Sequence, residues 1–151
     1  VVGDLEETQK LGILYLPVIW PGTSWRNLMR NRGEDSPFNH MPRYCGAFYW
    51  QQAINVINAG AKQIFIAMFD EVDEGTSIYK MIENADRLPK NSDLIPLNVD
   101  GCILKNDFYL RLAGATTTLL QTANKGARSL PIELMPSENI SDVDFSRGLS
   151  S

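Results

Sequence analysis

The stretch that most limits what this chain can fold into is Ile64 to Phe69 (IFIAMF), followed at once by Asp70, Glu71, Asp73 and Glu74 and closed by Gly75-Thr76. The apolar run is far shorter than the roughly 18 residues a membrane-spanning helix needs. It fits a strand buried on both faces, the kind found in parallel sheets covered by helices. Acidic residues just past the carboxyl end of such a strand stand where α/β barrels and open α/β sheets place their chemistry.

The neighbouring segments read as a βαβ unit. Leu11 to Trp20 (LGILYLPVIW) predicts a second apolar strand. Pro17 belongs at a bulge or near its end, since proline has no N–H to give the ladder, and Pro21-Gly22 stops it. Thr23 to Cys45 is polar but carries Trp25, Phe38, His40 and Tyr44. It predicts a long, ordered loop with at most a short helical turn, on the same rim as the acidic cluster; loops of that length are usually functional or disordered. Gly46 to Ala59 predicts a helix, because Trp50, Ala53, Ile54 and Ile57 share one face at i, i+3, i+4, i+7, with Gly60 as its terminating glycine. Leu94 to Val99 predicts a third short strand before the Asp100-Gly101 turn. Asn106 or Asp107 can cap a last helix from Phe108 to about Ala123, with Tyr109, Leu112, Ala113, Thr116, Leu120 and Ala123 as its inner face. Val1 to Lys10 is polar and suits a surface helix. From Asn124 the chain is a Ser-rich polar tail anchored by Ile132, Leu134 and Met135, and Asn139-Ile140-Ser141 matches a glycosylation triplet that is frequent by chance. Three parallel strands with both faces buried leave apolar edges exposed. The expectation is a part of a larger domain, or a chain that pairs with another.

Composition narrows the partners. The 151 residues suffice for one domain, and 44% hydrophobic with 21% charged residues is globular rather than disordered. Net charge is −4, and no basic cluster alternates with aromatics, so neither nucleic acid nor a membrane is an expected partner. The opening VVGDLEETQKLG lacks the basic start and apolar segment of a signal peptide. Cys45 and Cys102 have no CxxC context, which leaves zinc unsupported. They are expected as two free buried thiols, with pairing as the alternative. His40 is the only histidine, so a metal site or catalytic triad with a spare histidine is not available.

Glu71 and Glu74 are the candidate chemistry. Two neighbouring carboxyls raise each other's proton affinity, and unequal burial then separates an acid from a base. Glycosidases place such a pair about 5–5.5 Å apart for retention and roughly 6.5–9.5 Å apart for inversion. In a pure strand Glu71 and Glu74 would face opposite sides; a turn after Glu71, which Gly75 favours, lets them converge. A solvated acidic loop is the plain alternative. Oxygen ligation of Mg²⁺ or Ca²⁺ is a further reading, but Val72 stands where the calcium-loop pattern requires an oxygen ligand. The Asp70–Asp73 tetrapeptide DEVD matches a protease target by coincidence. Trp25 and Tyr44 offer aromatic faces to sugar C–H groups, or else pack the loop. Arg26 and Arg43 offer donors to hydroxyls or carboxylates, or form loop ion pairs. His40 reads as a loop hydrogen-bonder and Trp50 as core.

The octapeptide Phe69-Asp70-Glu71-Val72-Asp73-Glu74-Gly75-Thr76 resembles the Phe-Asn-Glu-Trp-His-Glu-Gly-Thr signature of glycoside hydrolase family 99, the endo-α-mannosidase group, and of the related family 71. Leu16 to Trp25 (LPVIWPGTSW) resembles their Pro-Gly-x-x-Trp strand end. Pro42-Arg43, GAFYWQ at Gly46 to Gln51 and DFYLRLAG at Asp107 to Gly114 resemble uncharacterised family 71/99-like proteins, some labelled xylosidase/arabinosidase. The resemblance implies an α/β fold of the (β/α)8 TIM-barrel type with only the last three βα units present. Residues 1–123 would be the C-terminal part of that barrel and 124–151 a polar tail. It also implies a retaining, endo-acting glycoside hydrolase on a glycan or polysaccharide. Glu71 would assist the substrate's own 2-hydroxyl through an epoxide-like intermediate, and Glu74 would be general acid/base. Asp70, Val72 and Asp73 stand for the family's Asn, Trp and His, which adds negative charge beside the pair. Trp25, Arg43, Tyr44, Asp70 and Asp73 are the expected substrate-binding residues, with no metal and no cofactor. The expected partners are a carbohydrate and, through the open sheet edges, a second copy or an N-terminal part. The expected location is extracellular or periplasmic. The alternative is a non-catalytic carbohydrate-binding or assembly piece of such a barrel.

Overall fold

The computed structural model describes residues 1–122 and 130–131. The elements in chain order are helix α1 (Val2–Lys10), strand β1 (Val18–Ile19), helix α2 (Arg26–Asn31), helix α3 (Ala47–Asn58), strand β2 (Phe65–Ile66) and helix α4 (Phe108–Thr122). Short 3-10 turns occupy Tyr44–Gly46 and Ala85–Arg87. None of the described helices is long and apolar enough to cross a membrane.

The βαβ unit is present, with β1 and β2 parallel and Val18 opposite Phe65, Ile19 opposite Ile66. The Phe65 N–H donates to the Pro17 carbonyl and the Ala67 N–H to the Ile19 carbonyl, both at 2.9 Å. Pro17 therefore sits at the mouth of the strand, where only its carbonyl is asked for. Gln52 of α3 donates to the Trp20 carbonyl at 2.8 Å and so fastens the end of β1 to the crossover helix.

Helix α3 forms where its 3.6-residue pattern predicts, and Trp50, Ala53, Ile54 and Ile57 are buried. It ends on Gly60 at φ 100°, whose N–H donates to the Ile57 carbonyl while that of Ala61 donates to Val56. This paired closure needs a left-handed residue, which glycine supplies without a Cβ penalty. Helix α4 lies against α3 and buries Phe108, Tyr109, Leu112, Thr116 and Leu119. One core cluster joins Ile19 of β1 with both helices and with Ile78, Met81, Leu97, Leu104 and Leu130. Helix α1 buries nothing, in keeping with its polar sequence.

Three expectations are corrected. The strands are not buried on both faces: Ile19 is 0% exposed, but Val18 is 50% and Phe65 44% exposed. Helices α3 and α4 cover one side of the sheet, and no described element covers the other. Leu94 to Val99 is not a strand, and the sheet among the described residues has two strands rather than three. Pro96 removes a ladder donor there, and turns closed by Val99 and Gly101 onto Pro96 and Asn98 follow directly. Ile95 and Leu97 are nonetheless buried, which accounts for their apolar character. Finally, Cys45 and Cys102 are not free thiols but a disulfide, with their Cα atoms 6.0 Å apart. Cys45 immediately precedes α3 and Cys102 lies shortly before α4, so the packing of those helices brings together residues 57 positions apart.

The polar tail assigned from Asn124, its Ile132, Leu134 and Met135 anchors, the triplet at Asn139 and the Ala123 end of the last helix lie outside the described residues.

Candidate active site

Beyond β2 the chain closes a compact loop that carries all four acids. The Met68 N–H donates to the Thr76 carbonyl and the Ile78 N–H to the Met68 carbonyl, each at 3.1 Å. Within the loop Gly75 donates to Val72 at 3.2 Å, and both Thr76 and Ser77 donate to the Glu71 carbonyl at 3.1 Å. The chain thus reverses after Glu71, as the pairing of Glu71 with Glu74 requires. Gly75 sits at φ 68°, and a Cβ on it would meet Ile95 at 3.0 Å and the Ser24 nitrogen at 3.2 Å. A side chain there would be strained in conformation, and its neighbours would have to give by a few tenths of an ångström.

Glu71 and Glu74 are half-buried, while Asp70 and Asp73 are exposed. Glu74 holds its proton above the usual carboxylate range. Partial burial is the main cause; the charges of Glu71 and Asp73 and a hydrogen bond with the Glu71 carboxyl add to it, and Arg32 opposes it. Glu71 and Glu74 therefore lie on one tight turn, where the charge of Glu71 is among the causes that raise the proton affinity of Glu74. Such a pair can divide acid and base duties between its members. Among the described residues no group of three or more His, Cys, Asp or Glu side chains converges as a metal site.

The segment after β1 supports this loop from one side. The Ser24 N–H donates to the Glu74 carbonyl at 2.8 Å, and Thr23 and Met41 exchange a pair of backbone bonds at 2.9 Å. The Ser24 hydroxyl accepts from the Asn39 N–H at 3.1 Å, and the Asn39 amide reaches Asp100 at 3.0 Å. The long polar stretch is therefore ordered and shares the rim with the acids, as its aromatics predict. Trp25, next to Ser24, is exposed and stacks on His40, with ring centroids 5.9 Å apart and planes 22° from parallel. Tyr44 is also exposed.

Arg43 is placed otherwise than expected. It is 2% exposed, and its Nη2 donates to the carbonyls of Gly75 at 2.7 Å and Ser77 at 3.0 Å. Its guanidinium lies over the Tyr109 ring, 4.5 Å from the centroid. It touches the underside of the acidic loop and is closed to solvent. Arg26 forms an ion pair with Asp93 at 3.7 Å, and Arg30 pairs with the same carboxylate. Sequence reasoning missed Ser24 and Arg32. Ser24 adjoins Trp25, which it did single out, but the approach of both residues to Glu74 arises from the return of the loop and leaves no mark in local sequence.

No protein-family model matches the chain, and no curated protein resembles it significantly. Solved structures do, two of the same enzyme among them. The GH99 endo-alpha-mannosidase from Bacteroides thetaiotaomicron, in complex with BIS-TRIS-propane, superposes with a TM-score of 0.65 at 20% identity, over 81% of this chain and 35% of that one. A second structure of the same enzyme gives a TM-score of 0.65 at 20% identity, over 82% and 33%. At this identity the likeness concerns the fold. The chain spans about a third of the length of these enzymes, which are TIM barrels, and has the mixed α/β fold of a portion of one.

Proposed function

We propose that this chain carries the catalytic pair of a retaining, endo-acting glycoside hydrolase. The observation that supports it best is the tight turn that carries Glu71 and Glu74 together beyond the carboxyl end of a parallel strand, with the proton affinity of Glu74 raised by partial burial and by its acidic neighbours. The fold likeness to GH99 endo-alpha-mannosidases supports it independently. In this reading Glu71, as the base, takes the proton of the sugar 2-hydroxyl, and that oxygen displaces the leaving group at the anomeric carbon. Glu74 gives its proton to the departing glycosidic oxygen. In the second half Glu74 takes a proton from water, which opens the strained intermediate at the anomeric carbon, and Glu71 returns its proton to the 2-oxygen. Two inversions give net retention. Trp25 and Tyr44 supply faces for sugar rings, and Asp70 and Asp73 supply acceptors for hydroxyls. The Cys45–Cys102 disulfide supports an extracellular or periplasmic location, where such bonds persist.

A second reading, that of a non-catalytic carbohydrate-binding or assembly piece, is favoured by one observation. Leu14, Leu16, Val18, Phe65 and Phe69 are all exposed, and Val18 and Phe65 are register partners on one sheet face. The occupant this face fits is a polypeptide bearing the strands that the solved barrels have and the described residues lack. Following glycans by NMR with the complete protein separates the readings. The first predicts products of retained anomeric configuration; the second predicts line broadening from binding with no new anomeric signal. Inverted products would contradict the proposed chemistry.

A further inference from the structure

Arg43 is a buried cation without a carboxylate at ion-pair distance among the described residues. Burial lowers its pKa, and the nearest opposing influences are Tyr109 and, more weakly, Asp100. Its Nε and Nη1 meet no hydrogen-bond acceptor among the described residues. A guanidinium in such a place is unfavourable unless its hydrogen bonds do something an apolar side chain cannot.

Two features show what those bonds hold. Nη2 reaches the Gly75 and Ser77 carbonyls, which flank Thr76 and directly follow Glu74. The stem of the side chain also crosses Gly22 at the end of β1, where an added Cβ would come within 2.7 Å of Arg43 Cγ and 2.7 Å of the Met41 carbonyl. The strand end, the acidic loop and the Tyr109 ring of α4 therefore meet on one side chain.

Resting on the glycosidase reading, we infer that Arg43 is the positioning residue of the site: it touches no substrate, but by holding the Gly75 and Ser77 carbonyls it fixes the turn that sets Glu74 relative to Glu71. Misplacing a reacting group by about 1 Å can cost on the order of 100-fold in rate, so the effect belongs in kcat.

The test uses the complete protein with Arg43→Gln and Arg43→Lys, and with Glu71→Gln and Glu74→Gln as controls. Arg43→Gln is expected to lower kcat by tenfold or more, with KM changed less than about twofold. The alkaline limb of its pH profile moves to lower pH, because Glu74 separated from Glu71 loses part of what raises its proton affinity. Arg43→Lys, which keeps the charge and can reach one carbonyl, recovers part of kcat. Amide exchange in Arg43→Gln rises at Thr76, Ser77 and Ile78 and stays unchanged in α3 and α4, which shows that the fold survives. An Arg43→Gln protein with wild-type kcat and pH profile overturns the inference, as does one in which KM alone rises, since that marks a substrate contact. If the glutamate controls stay active, the glycosidase reading itself fails; if they are inactive while Arg43→Gln is normal, only the positioning role fails.

Discussion

The two faces of the β1/β2 pair have opposite fates. On one, Ile19 lies under α3 and α4 in a continuous core with Tyr49, Ala53 and Leu112. On the other, Val18 and Phe65 stand side by side and exposed, and Leu14, Leu16 and Phe69 of the adjoining segments are exposed too. The backbone pairing is shared, and so is the apolar sequence. The difference is that one face has a helical layer and the other has none among the described residues. An unbroken apolar run thus does not by itself fix how many faces of a strand are covered. Exposed apolar residues grouped on one face are a common mark of an interaction surface.

Substitutions on the two faces sharpen this contrast. Leu112→Ala, at a fully buried site, is expected to destabilise the chain by about 2–5 kcal/mol in denaturant unfolding. Val18→Thr and Phe65→Thr, on the open face, should each move it by less than about 0.5 kcal/mol. Equal effects of Leu112 and Phe65 in this chain would break the comparison. The disulfide belongs to the covered side, where it clamps the approaches to α3 and α4. Reduction, or the Cys45→Ser and Cys102→Ser pair, should lower stability by about 2–4 kcal/mol, from the loop it closes; an unchanged unfolding midpoint would show that helix packing alone holds that side.

The smallest effect lies on the rim between the two faces. Glu74 binds its proton more tightly in the folded chain than an ordinary glutamate does. Between the ordinary and the raised pKa the folded state carries more protons, so stability falls as pH rises through that window. Ionised Glu74 weakens the fold above it. Glu74→Gln should therefore raise Tm slightly at neutral pH, with no gain below the ordinary glutamate range. A lower Tm at neutral pH would mean that the ionised carboxylate is stabilised by groups other than those described.

Helices α3 and α4 were legible in the sequence because a 3.6-residue apolar pattern and Gly60 are local signals. The turn after Glu71 was legible because Gly75 permits the reversal that strand geometry forbids. The extent of the strands was not, since Ile64 to Phe69 is equally apolar whether two residues or six are paired. Leu94 to Val99 was misread because its burial comes from packing under the acidic loop, where Ile95 approaches Gly75, and not from a ladder. The Cys45–Cys102 bond depends on how α3 and α4 pack, and the burial of Arg43 depends on the space left by Gly22. Neither relation is visible within a window of neighbouring residues.

The central claim is that Glu71 and Glu74 act together on a glycosidic bond. It is tested most directly by the rate of glycan cleavage by the complete protein carrying Glu74→Gln, measured beside the unchanged protein. Loss of a positioned acid/base predicts a fall of at least about 100-fold with substrate binding retained. A cleavage rate equal to that of the unchanged protein would contradict the assignment.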